Sequence, residues 1–139
     1  MYKGPEIRVS AWTYLMMALW LLVLPLRLVL SAWIAACIHE LGHLTVLWLW
    51  DIRVHRLEIN GFGAKIETSP MSAEEELCCA LAGPAAGMIL WLFHGCFPVI
   101  GVCALAQSAF NLIPVYPLDG GRALRAMRKI CCKDEQMGL

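Results

Sequence analysis

The sequence predicts an all-α polytopic membrane protein, with about four transmembrane helices and a small membrane-associated β-hairpin between the second and third. Three observations carry that expectation. Of 139 residues, 60% are hydrophobic and only 16% charged, whereas soluble domains sit near half apolar and a quarter charged. Apolar runs of about the length needed to cross a bilayer recur along the chain, broken by prolines and short polar turns. One segment departs from that texture and alternates apolar and polar residues with period two. The length suits a single membrane-embedded domain over 1–139.

The first span is expected at about 11–26, with Trp12 and Tyr14 in the position of an interfacial aromatic belt. Pro25 and Arg27 interrupt it, so the turn into the second span, about 28–50, must be tight. Residues 53–68 then alternate: Leu57 and Ile59 oppose Arg56 and Glu58, and Ala64 and Ile66 oppose Lys65 and Glu67. Asn60-Gly61-Phe62-Gly63 between them supplies hairpin turn chemistry; a solvated loop is the plainer alternative. Ser72 with Glu75 forms an S-x-x-E capping box, and Glu74, Glu75 and Glu76 suit the positive end of a helix dipole. The third span, about 73–93, therefore starts there. Its small residues from Ala82 to Gly87 allow close helix approach, and Pro84 should bend it. His94 falls in the far turn and reads as interfacial rather than as a ligand. The fourth span, about 97–113, ends at Pro114 and Pro117, which cannot continue a helix.

The chain carries 11 basic and 11 acidic residues, and their placement matters more than their sum. With four spans, the N-terminus, the 53–68 segment and the C-terminus share one side, leaving only Arg27 of the basic residues opposite. The positive-inside rule makes the shared side cytoplasmic. No basic stripe with interleaved aromatics suggests nucleic acid. The seven cysteines form no C-x-x-C pair and mostly lie in apolar segments, arguing against a secreted disulfide framework. Cys131 and Cys132 offer at most a weak lipidation signal.

Inside the second span lies His39-Glu40-Leu41-Gly42-His43. On a helix the two histidines project from one face and can grip one metal ion with Glu40 beside them, the H-E-x-x-H arrangement of zinc peptidases. A histidine on an apolar helix is more often a hydrogen-bonded core residue. Three ionisable groups within five residues at bilayer depth are costly, however, unless they face one another or a wet cavity. His43 would sit roughly 10 Å inside the end marked by Trp50. A hydrolytic zinc takes three protein ligands and leaves a position for water. Asp119, in Leu118-Asp119-Gly120-Gly121, is the candidate third donor, its rival role being a helix cap. Broken backbone at membrane depth is tolerated where it is buried or lines a polar cavity, so residues 111–121 are well suited to meet the histidines.

These two motifs, His39 to His43 and Asn111-Leu112-Ile113-Pro114-Val115-Tyr116-Pro117-Leu118-Asp119-Gly120-Gly121, resemble the site-2 protease family of intramembrane zinc metalloproteases, nearest to its bacterial sporulation-protease branch. The resemblance runs from about residue 30 to residue 125. It implies three core helices, one Zn²⁺ per chain held by His39, His43 and Asp119, and a bacterial cell membrane as the location, in which the positive-inside rule puts both termini on the cytoplasmic side. It also implies that the hairpin's exposed edge, at Ile59 or Ala64 to Ile66, receives an unwound membrane-protein or membrane-associated peptide substrate, and it allows for a regulatory membrane partner. Gly83-Pro84 resembles the family's motif on the intervening helix, although Ala85, Ala86 and Gly87 stand where relatives often have asparagine. The expected chemistry is hydrolysis of peptide bonds in or near transmembrane segments, with Glu40 activating the zinc-bound water. Asn111 would bind substrate backbone or the developing oxyanion, unless it serves helix packing. The alternative function is a non-proteolytic zinc-binding membrane protein that binds clients.

Overall fold

The computed structural model describes residues 6–60 and 63–137. Its order is β1 (Glu6–Val9), α1 (Ala11–Val23), α2 (Leu26–Leu49), β2 (Val54–Asn60), β3 (Gly63–Thr68), α3 (Ala73–Leu92), α4 (Pro98–Asn111) and α5 (Asp119–Met137). The four apolar helices fall where the spans were expected, with ends shifted by up to three residues.

Two of them, α2 and α3, are long and apolar enough to cross a membrane. Their 24 and 20 residues reach ~36 and ~30 Å at ~1.5 Å per residue, against a hydrocarbon core of ~30 Å. The helices α1 and α4 are apolar but shorter, with 13 and 14 residues. Three of the four starts have a local cause. Ser10 caps α1 by accepting from the Trp12 N–H at 3.3 Å. The capping box of α3 is present in both directions: the Ser72 N–H donates to Glu75 Oε2 at 2.7 Å, and the Glu75 N–H to Ser72 Oγ at 3.2 Å. Pro98 opens α4, where its missing N–H costs no helical bond.

The expected all-α class needs one correction. The sheet has three strands in the order β1-β2-β3, because β1 lies parallel to β2 on the side away from β3. Glu6-Ile7-Arg8-Val9 alternates as a strand should, but its partner is some fifty residues away (Ile7↔Leu57, Val9↔Ile59). The hairpin itself pairs Leu57↔Ile66, Glu58↔Lys65 and Ile59↔Ala64, with a register irregularity between Val54 and Arg56. Gly61 and Phe62 of the expected turn lie outside the described residues. Since β2 is central, the edge expected at Ile59 is already taken by β1, and the open edge of the hairpin belongs to β3.

A second difference concerns the basic tail. It is the 19-residue helix α5, which buries Ala123 and Ala126 while α3 lies alongside. Lys129 of α5 meets Glu76 in the first turn of α3 at 3.2 Å, so α5 runs back along α3 toward that helix's start.

The interior is built from small residues and polar ones: Ala35, Cys79, Ala80, Ala104 and Ala126 are buried, and so are His39, His43, Ser108 and Asp119. Most large apolar side chains point outward instead, with Leu22 83% and Trp48 79% exposed, while Val29 and Leu47 are buried. That is the inverse of a water-soluble core and suits a lipid surround.

Candidate metal centre

Positions 35, 39, 43 and 47 of α2 recur every four residues, and Ala35, His39, His43 and Leu47 are all buried on one helix face. The His39 and His43 rings meet edge to face, their centroids 4.9 Å apart, and their Nε2 atoms are 3.2 Å apart. Asp119, the first residue of α5, brings Oδ2 to 3.1 Å from His39 Nε2 and 3.2 Å from His43 Nε2. Three donor atoms thus form a nearly equilateral triangle. A tetrahedral zinc with bonds of ~2.0 Å needs donors about 3.3 Å apart, so the triangle fits such an ion with little adjustment. Among the described residues this is the one group of three that could hold a metal.

Neighbouring atoms orient the donors. His43 Nδ1 lies 2.8 Å from the Cys79 carbonyl of α3; as a backbone oxygen can only accept, Nδ1 carries the proton and the Nε2 lone pair faces the centre. The Arg122 guanidinium donates to Asp119 Oδ1 at 3.5 Å, leaving Oδ2 directed at the imidazoles. Oδ2 is therefore turned to the histidines. Asn111, the last residue of α4, has Nδ2 3.3 Å from His39 Nε2. His39 Nδ1 is buried with no partner among the described residues.

Two glycines make this packing attainable. A methyl at Gly83 would land on His43 Nε2 and His39 Nε2, so α3 can lie this close to the rings only without a side chain there. A methyl at Gly120 would strike the Leu112 carbonyl, which is how α5 folds back onto the broken backbone after α4 and delivers Asp119.

Glu40 is turned to another side of α2. It lines a cavity of about 700 Å³ between α1, α2, α4 and β2, together with Thr13, Cys37, Asn60, Gln107 and Phe110 among others. His94 stays at the far turn as expected, stacked on Trp91 at 5.2 Å and exposed. The expected site residues thus come together as His39, His43, Asp119 and Asn111 around one point, with Glu40 one residue from the first ligand and facing the cavity. Sequence reasoning missed the Cys79 carbonyl, the Arg122 guanidinium and the reason for Gly83. A backbone carbonyl leaves no trace in sequence; Arg122, three residues after Asp119, could have been read from helical spacing.

The fold and the triad define a class: a helical frame with a zinc-metalloprotease-type centre, in which one helix bears H-E-x-x-H and a later one begins with the Asp-Gly-Gly aspartate. Comparison with known proteins gives the same class. The chain is 32% identical over 124 residues to sll0528 of Synechocystis sp., named as a candidate zinc metalloprotease, and covers 32% of it with 78% of its own length. It is 27% identical over 135 residues to stage IV sporulation protein FB of Bacillus subtilis, with 86% of this chain and 46% of that protein covered. It is 28% identical over 108 residues to zinc metalloprotease MJ0392 of Methanocaldococcus jannaschii, with 68% and 32% covered. In structure it superposes on the site-2 protease from Methanocaldococcus jannaschii with a TM-score of 0.74 at 23% identity, covering 91% of this chain and 69% of that one. No family model matches. The chain spans about a third to a half of the curated relatives it matches. In fold it matches that site-2 protease, and in sequence it is similar to named zinc metalloproteases.

Proposed function

We propose that this chain is an intramembrane zinc metalloendopeptidase that hydrolyses peptide bonds in or near the transmembrane segments of membrane-associated substrates. One observation carries the reading: His39, His43 and Asp119, buried together, hold Nε2, Nε2 and Oδ2 in a triangle with edges of 3.1, 3.2 and 3.2 Å, one residue from the carboxylate of Glu40. Two imidazoles and a carboxylate suit zinc among the divalent ions. Held there, zinc supplies a Lewis acid for the scissile carbonyl and lowers the pKa of a coordinated water toward ~7.

The chain's own residues supply the rest. His39 and His43 bind as neutral imidazoles through Nε2, the second tautomer fixed by the Cys79 carbonyl. Glu40 accepts the proton of the attacking water and passes it to the leaving amine. Asn111 offers its amide to the substrate backbone or to the oxygen on which charge develops. A substrate helix must be unwound first, and the open edge of β3 is the natural place for it to add as a strand. Four spans with both termini in the cytoplasm, and a centre opening toward that side, agree with the placement of the basic residues.

The test is co-expression with single-span membrane proteins, comparing the wild type with Glu40→Gln. The variant should retain zinc yet lose cleavage by about 100-fold or more; undiminished cleavage would remove Glu40 as the base.

A further inference from the structure

The cavity beside α2 is walled mainly by apolar side chains such as Met16, Trp20, Leu44 and Phe110, and four polar side chains other than thiols reach it: Thr13, Glu40, Asn60 and Gln107. The Thr13 hydroxyl is committed, donating to the Ile59 carbonyl at 2.8 Å, and Glu40 is the base proposed above. The carboxamides of Asn60 and Gln107 are hydrogen-bonded to no other described residue. They enter from different elements, Asn60 from the end of β2 and Gln107 from α4.

Gln107 stands four residues before Asn111 and so shares its helix face, and Asn111 is the residue whose amide reaches His39 Nε2. Four residues are ~6 Å along a helix axis, close to the ~6.8 Å that two residues advance in an extended peptide. An unwound segment lying here exposes peptide N–H and C=O groups to apolar walls, where an unpaired group is costly. A carboxamide offers both donors and an acceptor, and so can pair either half of a peptide group.

We infer that Gln107, assisted by Asn60, binds the backbone of the unwound substrate about two residues from the scissile bond, on the side nearer the Pro98 end of α4. The inference rests on the peptidase reading and specifies where its substrate is held. Gln107 is a substrate-binding residue under this assignment, distinct from the metal donors.

The full-length chain, loaded with zinc in lipid vesicles and given a single-span substrate with one mapped cleavage site, tests it. Gln107→Met keeps the shape and removes the hydrogen bonds. KM should rise about tenfold, kcat should stay within about twofold, as for an interaction equal in ground and transition states, and zinc content should match the wild type. An unchanged KM overturns the inference, and so does a loss of zinc in step with activity, which would make Gln107 a packing residue. A second measurement needs no turnover. In a Glu40→Gln chain whose native cysteines are replaced by alanine, Gln107→Cys is oxidised against substrates carrying one cysteine each along the span. Disulfide formation should peak about two residues from the cleavage site; a profile without a peak counts against the inference. Failure of the underlying reading looks different: the zinc-loaded wild type then leaves the substrate whole, and this inference falls with it.

Discussion

The two sides of α2 are built on opposite plans. Toward α3 and α5 the helix is closed off: Ala35, His39, His43 and Leu47 are buried, Gly83 abuts both imidazoles, and Asp119 completes the group. Toward α1 the same helix borders the cavity with Cys37, Glu40, Leu41 and Leu44, and Leu41 is 56% exposed. The start of α1 is held by the Ile59 carbonyl, which accepts from the Ser10 N–H at 3.0 Å and from the Thr13 hydroxyl at 2.8 Å. One helix thereby separates two requirements. Metal donors need fixed positions within tenths of an ångström, whereas a substrate segment needs room to arrive.

The sharpest way to break the closed side is Asp119→Ala, which removes one of three donors. Bound zinc, measured by elemental analysis, should fall at least about 100-fold in affinity, and cleavage should vanish with it; retained stoichiometric zinc would show that the third donor lies elsewhere. Gly83→Ala is gentler, since the added methyl presses on both rings without removing a ligand. Zinc affinity should drop about 10- to 100-fold while circular dichroism still reports the wild-type helix content. On the open side, Thr13→Val deletes one of the two bonds to the Ile59 carbonyl, a loss of about 1 kcal/mol. Hydrogen exchange of the β1 amides should then quicken about fivefold, with zinc content unchanged. A fall in zinc with Thr13→Val would mean that the two sides are not independent.

The closed side was the more legible of the two in the sequence. The four-residue spacing of His39 and His43 puts both on one helix face, and the broken stretch Asn111 to Gly121 marks a place where backbone and a carboxylate can approach them. Helix α3 was equally open to reading because its start is set locally by Ser72 and Glu75. What escaped depends on distant partners. Residues 6–9 alternate, yet four residues make a strand only when β2 is beside them, and that pairing spans some fifty positions. The helix α5 looked like a charged tail because Arg122, Arg125, Arg128 and Lys129 dominate its composition. Its apolar side is made of Ala123 and Ala126, small residues that signal contact with α3 only once the two helices are seen together. Gly83 was read as a helix-packing residue, whereas its lack of a side chain is what admits the two rings.

Asp119 lies 80 residues after His39 and begins the helix that follows α4. Every residue of α1 through α4 is therefore polymerised before the third donor exists. Until Asp119 is added the nascent protein has two histidines and no complete triad, so the centre can close only when α5 comes to rest on α3.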